Sequence, residues 1–294
     1  MAIQGIPGRK ADLGEGTAVR RLLPTRGRRL VGPWCFMDHY GPHTVEGPGM
    51  ALGPHPHIGL QTVSWLFEGE ILHHDSIGSE QLIRPGQLNL MTSARGIAHS
   101  EETPGTHGPR LHGVQLWVAL PEAARHDAPA FEHIAELPQA GFDALRATVL
   151  MGSLGEAASP ARAFSPMMGA ELVADRDGIS RVPLDPAFEH AVALMGGRAA
   201  IGELPVETGV IYMTPSGESF LELRMEKGAK VMMLGGAPFP EPILMWWNFV
   251  ARTPEEMLEA RADWIGGRRF GAVDDALPLI AAPPLDPAML RLRR

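Results

Sequence analysis

Cysteine is nearly missing from this chain of 294 residues, with Cys35 the single example. One cysteine excludes an intrachain disulfide framework and any Cys-rich zinc module. It lies in the apolar run GPWCFM, where a buried, small hydrophobe is expected rather than a nucleophile. No apolar run approaches the length of a membrane span. The opening MAIQGIPGRKADLG lacks the apolar core of a secretory signal, so the expectation is a cytoplasmic protein without a membrane partner. Basic residues are also outnumbered, 26 Lys and Arg against 34 Asp and Glu, for a net charge of -8. The clusters at Arg20-Arg21, at Arg26, Arg28 and Arg29, and at Arg291, Arg293 and Arg294 read as solvated edges or ion-pair partners. Without a broad basic face, direct nucleic-acid binding is not expected. A P-loop, a GxSxG elbow, a dinucleotide fingerprint and an HExxH helix are all absent.

What is present is a globular composition, 45% apolar and 20% charged, punctuated by 34 Gly and 27 Pro. Such punctuation favours short strands joined by turns. Residues 1–50 read as irregular apart from a strand at Thr17 to Pro24. LQTVSWLFEG, EILHHDS, SEQLIRPG, QLNLMTS and GVQLWVAL then read as successive strands of a jelly-roll sandwich or barrel. The Pro- and Ala-rich run Leu120 to Gly141 is the candidate linker between domains at 1–135 and 136–294. Strand-like segments resume beyond it, and Leu244 to Val250 reads as a core strand. Thr253-Pro254-Glu255-Glu256 is a capping box, with Pro at the first helical position. An amphipathic helix of about three turns should follow, carrying Met257, Leu258, Trp264 and Ile265. The tail from Gly271 to Arg294 is expected to hug the surface or hang loose.

Histidine is the most unevenly placed residue: eleven of twelve lie at or before His133, and only His190 falls later. Two pairs stand out, His55-x-His57 and His99-x-Glu101, each spaced i, i+2. On a strand, such spacing sends both side chains to one face. Pairs on neighbouring strands would gather three imidazoles and a carboxylate, a ligand set for a divalent transition metal. His73 and His74 compete for the same role, but adjacent strand residues face opposite ways, so at most one points inward. Asp75 and Glu80 read as solvent-facing turn residues, and Asp38-His39 as a turn with local hydrogen bonds.

At these residues the chain resembles the pirin family of the cupin superfamily. HPHIGLQTVSWLFEGE is similar to the first cupin motif in its pirin form, and MTSARGIAHSEETP to the second. VGPWCFMDHYGP, GVQLWVAL and MWWNFVARTPEEMLEAR agree on the flanks, so the likeness covers most of residues 16 to 265. Ser93-Ala94 stands where the family has Ala-Gly. The resemblance implies an all-β bicupin: two antiparallel jelly-roll β-barrel domains facing each other, a C-terminal helix, and metal only in the first domain. It implies His55, His57, His99 and Glu101 as ligands of one divalent ion, Fe(II) foremost, with Mn, Ni, Cu or Zn compatible with the same donors. It further implies quercetin 2,3-dioxygenase activity on a flavonol-like molecule. At such a site Glu101 is the candidate base, and Trp65, Phe67, Met91 and Trp117 read either as an apolar lining or equally as plain barrel core. The rival implication is a non-enzymatic, iron-dependent regulator that binds a protein partner.

Overall fold

The computed structural model describes residues 3–13, 17–45 and 49–290. These residues are mostly antiparallel strands, with one α-helix, Pro254–Ile265, and one short 3-10 turn, Pro287–Met289. Two compact units divide the chain, and neither is one continuous stretch. The first gathers 1–10, 20–39 and 136–239; the second gathers 11–19, 40–135 and 240–294. A single cut at 135 therefore differs from the observed division. The N-terminal strand Gln4–Pro7 pairs with Val210–Met213, which carries the start of the chain into the first unit.

The first unit is a sandwich. Its larger sheet runs in the order Gln4–Pro7, Val210–Met213, Glu189–Gly196, Lys230–Gly236, Met167–Ala174, Leu145–Leu154 and Gln139–Phe142, with Ala157–Ala158 attached to Leu145–Leu154. Its smaller sheet runs Gly178–Pro183, Phe220–Met225, Ala199–Ile201, Leu204–Val206. Alternating side chains from both meet in one core, including Val149, Ala170, Leu172, Val192, Val231 and Met233 against Val182, Leu221 and Leu223. His190 is buried there, and the described residues of this unit bring no second group of metal-binding side chains to it.

The second unit repeats the plan. A four-stranded sheet has the order Ala51–His57, Ile97–Glu102, Ile71–Asp75, Glu80–Ile83. A second sheet has the order Ala130–Ile134, Leu88–Thr92, Leu60–Glu68, Arg110–Ala119, followed by the strands Trp34–Thr44, Thr17–Leu23 and Arg9–Leu13, of which residues 40–44, 17–19 and 11–13 belong to this unit. Residues 1–50 are thus richer in strands than the irregular reading allowed. The GPWCFMDHYGP segment lies almost wholly in the strand Trp34–Thr44. Asp38 is accordingly a buried strand residue rather than a turn residue. The expected linker likewise contains a strand, Ala130–Ile134, at the sheet edge beside Leu88–Thr92. Leu244 to Val250 is a tight hairpin of Leu244–Trp246 and Phe249–Ala251, turned through Trp247 at φ 50.

The helix starts as its capping box predicts, with Thr253 accepting from the Glu256 amide. It buries Met257, Ala260 and Trp264 but leaves Leu258 and Ile265 exposed. Its buried side joins Phe249, Phe270, Ile58 and Ala98 in one cluster, which covers the face of the small sheet carrying Ala98. The tail lies against the second unit along part of its length. Ile280 donates to the Pro54 carbonyl at 2.9 Å, and Trp264 Nε1 donates to the Ile280 carbonyl at 2.9 Å. A Cβ on Gly53 would run into the Pro278 carbonyl, so glycine is required at that crossing. Pro54 and Pro56 are tolerated because Ala51–His57 is an edge strand.

Two substitutions test these contacts. Arg21 grips the buried Asp38 with two hydrogen bonds, 2.8 and 2.6 Å. Arg21→Ala strands that carboxyl and should cost about 3 kcal/mol in chemical denaturation, while Arg21→Met with Asp38→Leu should recover most of the loss. Ala94 sits at φ 44, a conformation that favours glycine. Ala94→Gly should stabilise the fold by about 0.5–1 kcal/mol, read as a higher melting temperature.

Candidate metal centre

The centre is built on the strand Ile97–Glu102, which has a partner on each side. On one side His99 lies opposite His55, and Ile97 opposite His57. On the other, Glu101 lies opposite His73, and His99 opposite Asp75. Residues directly opposite in an antiparallel pair share a face, as do i, i+2 neighbours. Six side chains therefore point the same way: His55, His57, His73, Asp75, His99 and Glu101. The register shifts between His99 and Glu101, where one extra residue bulges from the Ala51–His57 strand. Within that bulge the Gly53 carbonyl takes the Nδ1 proton of His55 at 2.9 Å. His55 Nε2 is left as a lone-pair donor.

The imidazoles converge. Nitrogens of His55, His57 and His99 all lie within 4.8 Å of one another, and an overlapping group is formed by His73, His99 and Glu101. His99 Nε2 sits 3.1 Å from His57 Nε2. All are buried, and burial sets their charge. Desolvation lowers the His55 pKa to about 4, and holds His57 and His99 well below the ordinary histidine value, with neighbouring imidazoles adding repulsion. Burial raises Glu101, against opposing effects from His73 and a Ser64 hydrogen bond. Neutral imidazoles with converging lone pairs, beside a carboxyl group, suit a divalent transition metal.

Glu101 is held from the opposite sheet. Ser64 Oγ lies 3.0 Å from Glu101 Oε1 and 2.9 Å from the side-chain amide of Gln115. A hydroxyl has one proton to give. When Ser64 gives it to Glu101, the Gln115 amide must turn its NH2 toward Ser64.

Of the four ligands expected from the sequence, His55, His57 and His99 form one group, while Glu101 is grouped with His99 and His73. His74 does not join them: it faces away, half-buried, with Glu80 and Asp275 nearest at 3.8 and 3.9 Å. Glu80 is exposed as expected, but Asp75 is not. Its carboxylate is fully buried and accepts from the amides of Ile77 and Ser79 at 3.0 and 2.9 Å. Burial would raise its pKa, but hydrogen bonds from His73 and Ser79 outweigh that and leave it lowered. His73-x-Asp75 is a third i, i+2 pair, a signal of the same kind as the two that stood out.

Strand register also sorts the expected lining. Trp117 lies opposite Thr62, Gln115 opposite Ser64, and Met91 between Thr62 and Phe131. Trp117, Met91 and Phe131 therefore share the face of Ser64 that reaches Glu101. Trp65 and Phe67 project from the other face and are core, because odd and even strand positions cannot both look inward. Trp117 packs edge-on to His57 at 5.3 Å, and Phe131 stacks on His73 at 4.6 Å.

Burying a neutral histidine ties stability to pH. Between pH 6.5 and about 4, unfolded His55 holds a proton that the folded protein excludes. The stability of the metal-free protein should be full above pH 6.5 and fall by about 3 kcal/mol toward pH 4, with His57 and His99 adding in the same direction. Denaturation curves from pH 7 to pH 4 check this, and His55→Gln should flatten the slope.

Comparison with known proteins matches this architecture. The Pirin pattern fits residues 16–118, and the Pirin C-terminal cupin domain fits residues 170–271. A Pseudomonas aeruginosa protein, provisionally named a quercetin 2,3-dioxygenase, is 43% identical over 287 residues, covering 96% of this chain and 90% of its own. The crystal structure of quercetin 2,3-dioxygenase from Acinetobacter baumannii superposes with a TM-score of 0.96 at 43% identity, over 99% of this chain and 97% of that one. The Escherichia coli pirin YhhW, solved with nickel(II), shares the fold at 18% identity and a TM-score of 0.65, over 81% of this chain and all of its own. With both domains matched in order and relatives aligned along nearly its whole length, the chain belongs to the pirin family.

Proposed function

We propose that this protein is a metal-dependent dioxygenase that cleaves flavonols in the manner of quercetin 2,3-dioxygenase. One divalent ion would be held by His55, His57, His99 and Glu101. The observation that carries this reading is the convergence of the buried, neutral imidazoles of His55, His57 and His99, with Glu101 on the same sheet face and grouped with His99. The solved quercetin 2,3-dioxygenase at 43% identity supports the reaction class. The donor set accepts Fe(II), our first choice, as well as Mn, Ni, Cu or Zn; nickel(II) in the E. coli pirin is consistent with that breadth.

The bound ion would supply Lewis acidity, lowering the pKa of a flavonol 3-hydroxyl placed against it. The protein's own groups do the rest. Glu101 takes the hydroxyl proton, and its burial-raised pKa brings it closer to the operating pH, where a general base is most effective. Ser64 steadies the carboxylate by donating to Oε1. Trp117, Met91 and Phe131 offer an apolar surface to aromatic rings. The site lies in the second unit, and the protein is expected to act on a small molecule without nucleic acid.

Oxygen uptake with quercetin and Fe(II)-loaded protein tests the proposal. The wild type should consume oxygen, Glu101→Ala should be slower by about 100-fold or more, and His57→Ala should neither retain metal nor turn over. Absence of metal-dependent uptake across a flavonol panel would sink the enzyme reading and leave a metal-responsive protein that binds a partner. Turnover that survives both substitutions would move the site elsewhere.

A further inference from the structure

Between Asp75 and His99 lies an unbroken chain of buried hydrogen-bonding atoms. Asp75 Oδ2 is 3.2 Å from His73 Nε2, and His73 Nδ1 is 3.3 Å from His99 Nδ1. Asp75, His73 and His99 are at most 4% exposed, so their polar atoms are largely shielded from bulk water. We infer that His73 and Asp75 are positioning residues that set the tautomer of His99, so that its Nε2 lone pair faces His55 and His57. This inference rests on the metal reading above and names two residues outside the proposed ligand set.

The argument is one of donors and acceptors. An ionised carboxylate only accepts, so Asp75 requires a proton on His73 Nε2. In a neutral imidazole that leaves His73 Nδ1 as an acceptor. His99 must then carry its proton on Nδ1, which frees Nε2, the nitrogen 3.1 Å from His57 Nε2. A metal-binding histidine whose other nitrogen donates to a fixed acceptor is oriented and made more basic. Here the acceptor is an imidazole, itself directed by a carboxylate.

Both relay residues are held firmly. The second oxygen of Asp75 accepts the amides of Ile77 and Ser79, so the carboxylate cannot rotate without losing two hydrogen bonds. The ring of His73 lies nearly parallel to Phe131, with 19° between the planes. The same contacts make Asp75→Asn an informative change. Oδ1 must remain an oxygen to face two amide protons, so the new NH2 is forced to the Oδ2 position. There it can only donate, His73 Nε2 must accept, and the proton moves to His73 Nδ1. His99 Nδ1 then becomes the acceptor, and the His99 proton shifts to Nε2, where it blocks metal binding. One nearly isosteric substitution reverses every hydrogen bond in the chain.

The experiment is Co(II) titration of the metal-free, full-length protein, followed by its visible absorption, alongside imidazole 15N spectra before metal is added. The wild type should bind Co(II) and show His99 protonated at Nδ1. Asp75→Asn should move that proton to Nε2 and weaken Co(II) binding by about 10–100-fold. His73→Phe, which keeps a ring against Phe131 but breaks both hydrogen bonds, should weaken binding over the same range. Unchanged affinity and tautomer in Asp75→Asn would overturn the relay while leaving the metal reading intact. Complete loss of binding in His73→Phe, matching His57→Ala, would overturn the positioning role by making His73 a ligand. A wild type that binds no Co(II) would remove the metal reading and the relay with it.

Discussion

The pleat of one strand governs this molecule's chemistry. Ile97–Glu102 sends His99 and Glu101 to the same face, and its two neighbours are registered so that His55, His57, His73 and Asp75 meet them there. A slip of one residue in either neighbour would turn its histidines to the opposite face. That opposite face is occupied: Ala98 packs against Phe249, Trp264 and Phe270. The apolar cluster behind the strand and the polar cluster in front of it thus enforce the same register. Large apolar groups behind exclude any alignment that would bury imidazoles among them.

Concentrating so many titratable groups out of water is costly unless they are neutral, paired or bound. This protein uses the first two openly. The imidazoles of His55, His57 and His99 are held neutral by burial and mutual repulsion, while Asp75 retains its charge by collecting hydrogen bonds. Ser64 and Gln115 support Glu101 from the facing sheet in a similar way. The resulting arrangement is rigid and electron-rich, with its basic atoms turned toward one another instead of toward solvent.

Much of this was legible in the sequence because period-two spacing is a local property. His55-x-His57 and His99-x-Glu101 announce a shared face without knowledge of the partner strands, and the capping box at Thr253 announces the helix. What escaped was set by distant contacts. His73-x-Asp75 has the same spacing, but Asp75 beside Ser76 and Gly78 resembles an ordinary turn, and only pairing with Ile97–Glu102 turns it inward. Trp65 and Phe67 have the right chemistry for a lining and the wrong parity, which becomes visible once Ser64 is known to touch Glu101. The Leu120 to Gly141 segment hides a strand because its prolines suit an edge, and edges are defined by what lies beside them.

The crossing of chain segments between the two units has a consequence for biosynthesis. The edge strand Ala51–His57 and the face around Ala98 are covered by the hairpin Leu244–Ala251, the helix Pro254–Ile265 and the tail, all of which belong to the same unit. A ribosome delivers these pieces only after the entire 136–239 portion of the other unit has been made. The histidine-bearing strands therefore wait with one face uncovered while 136–239 is made, and their unit cannot finish folding first although much of it is encoded earlier. The portion 136–239 is thus made before the hairpin and helix that cover the back of the histidine-bearing sheet.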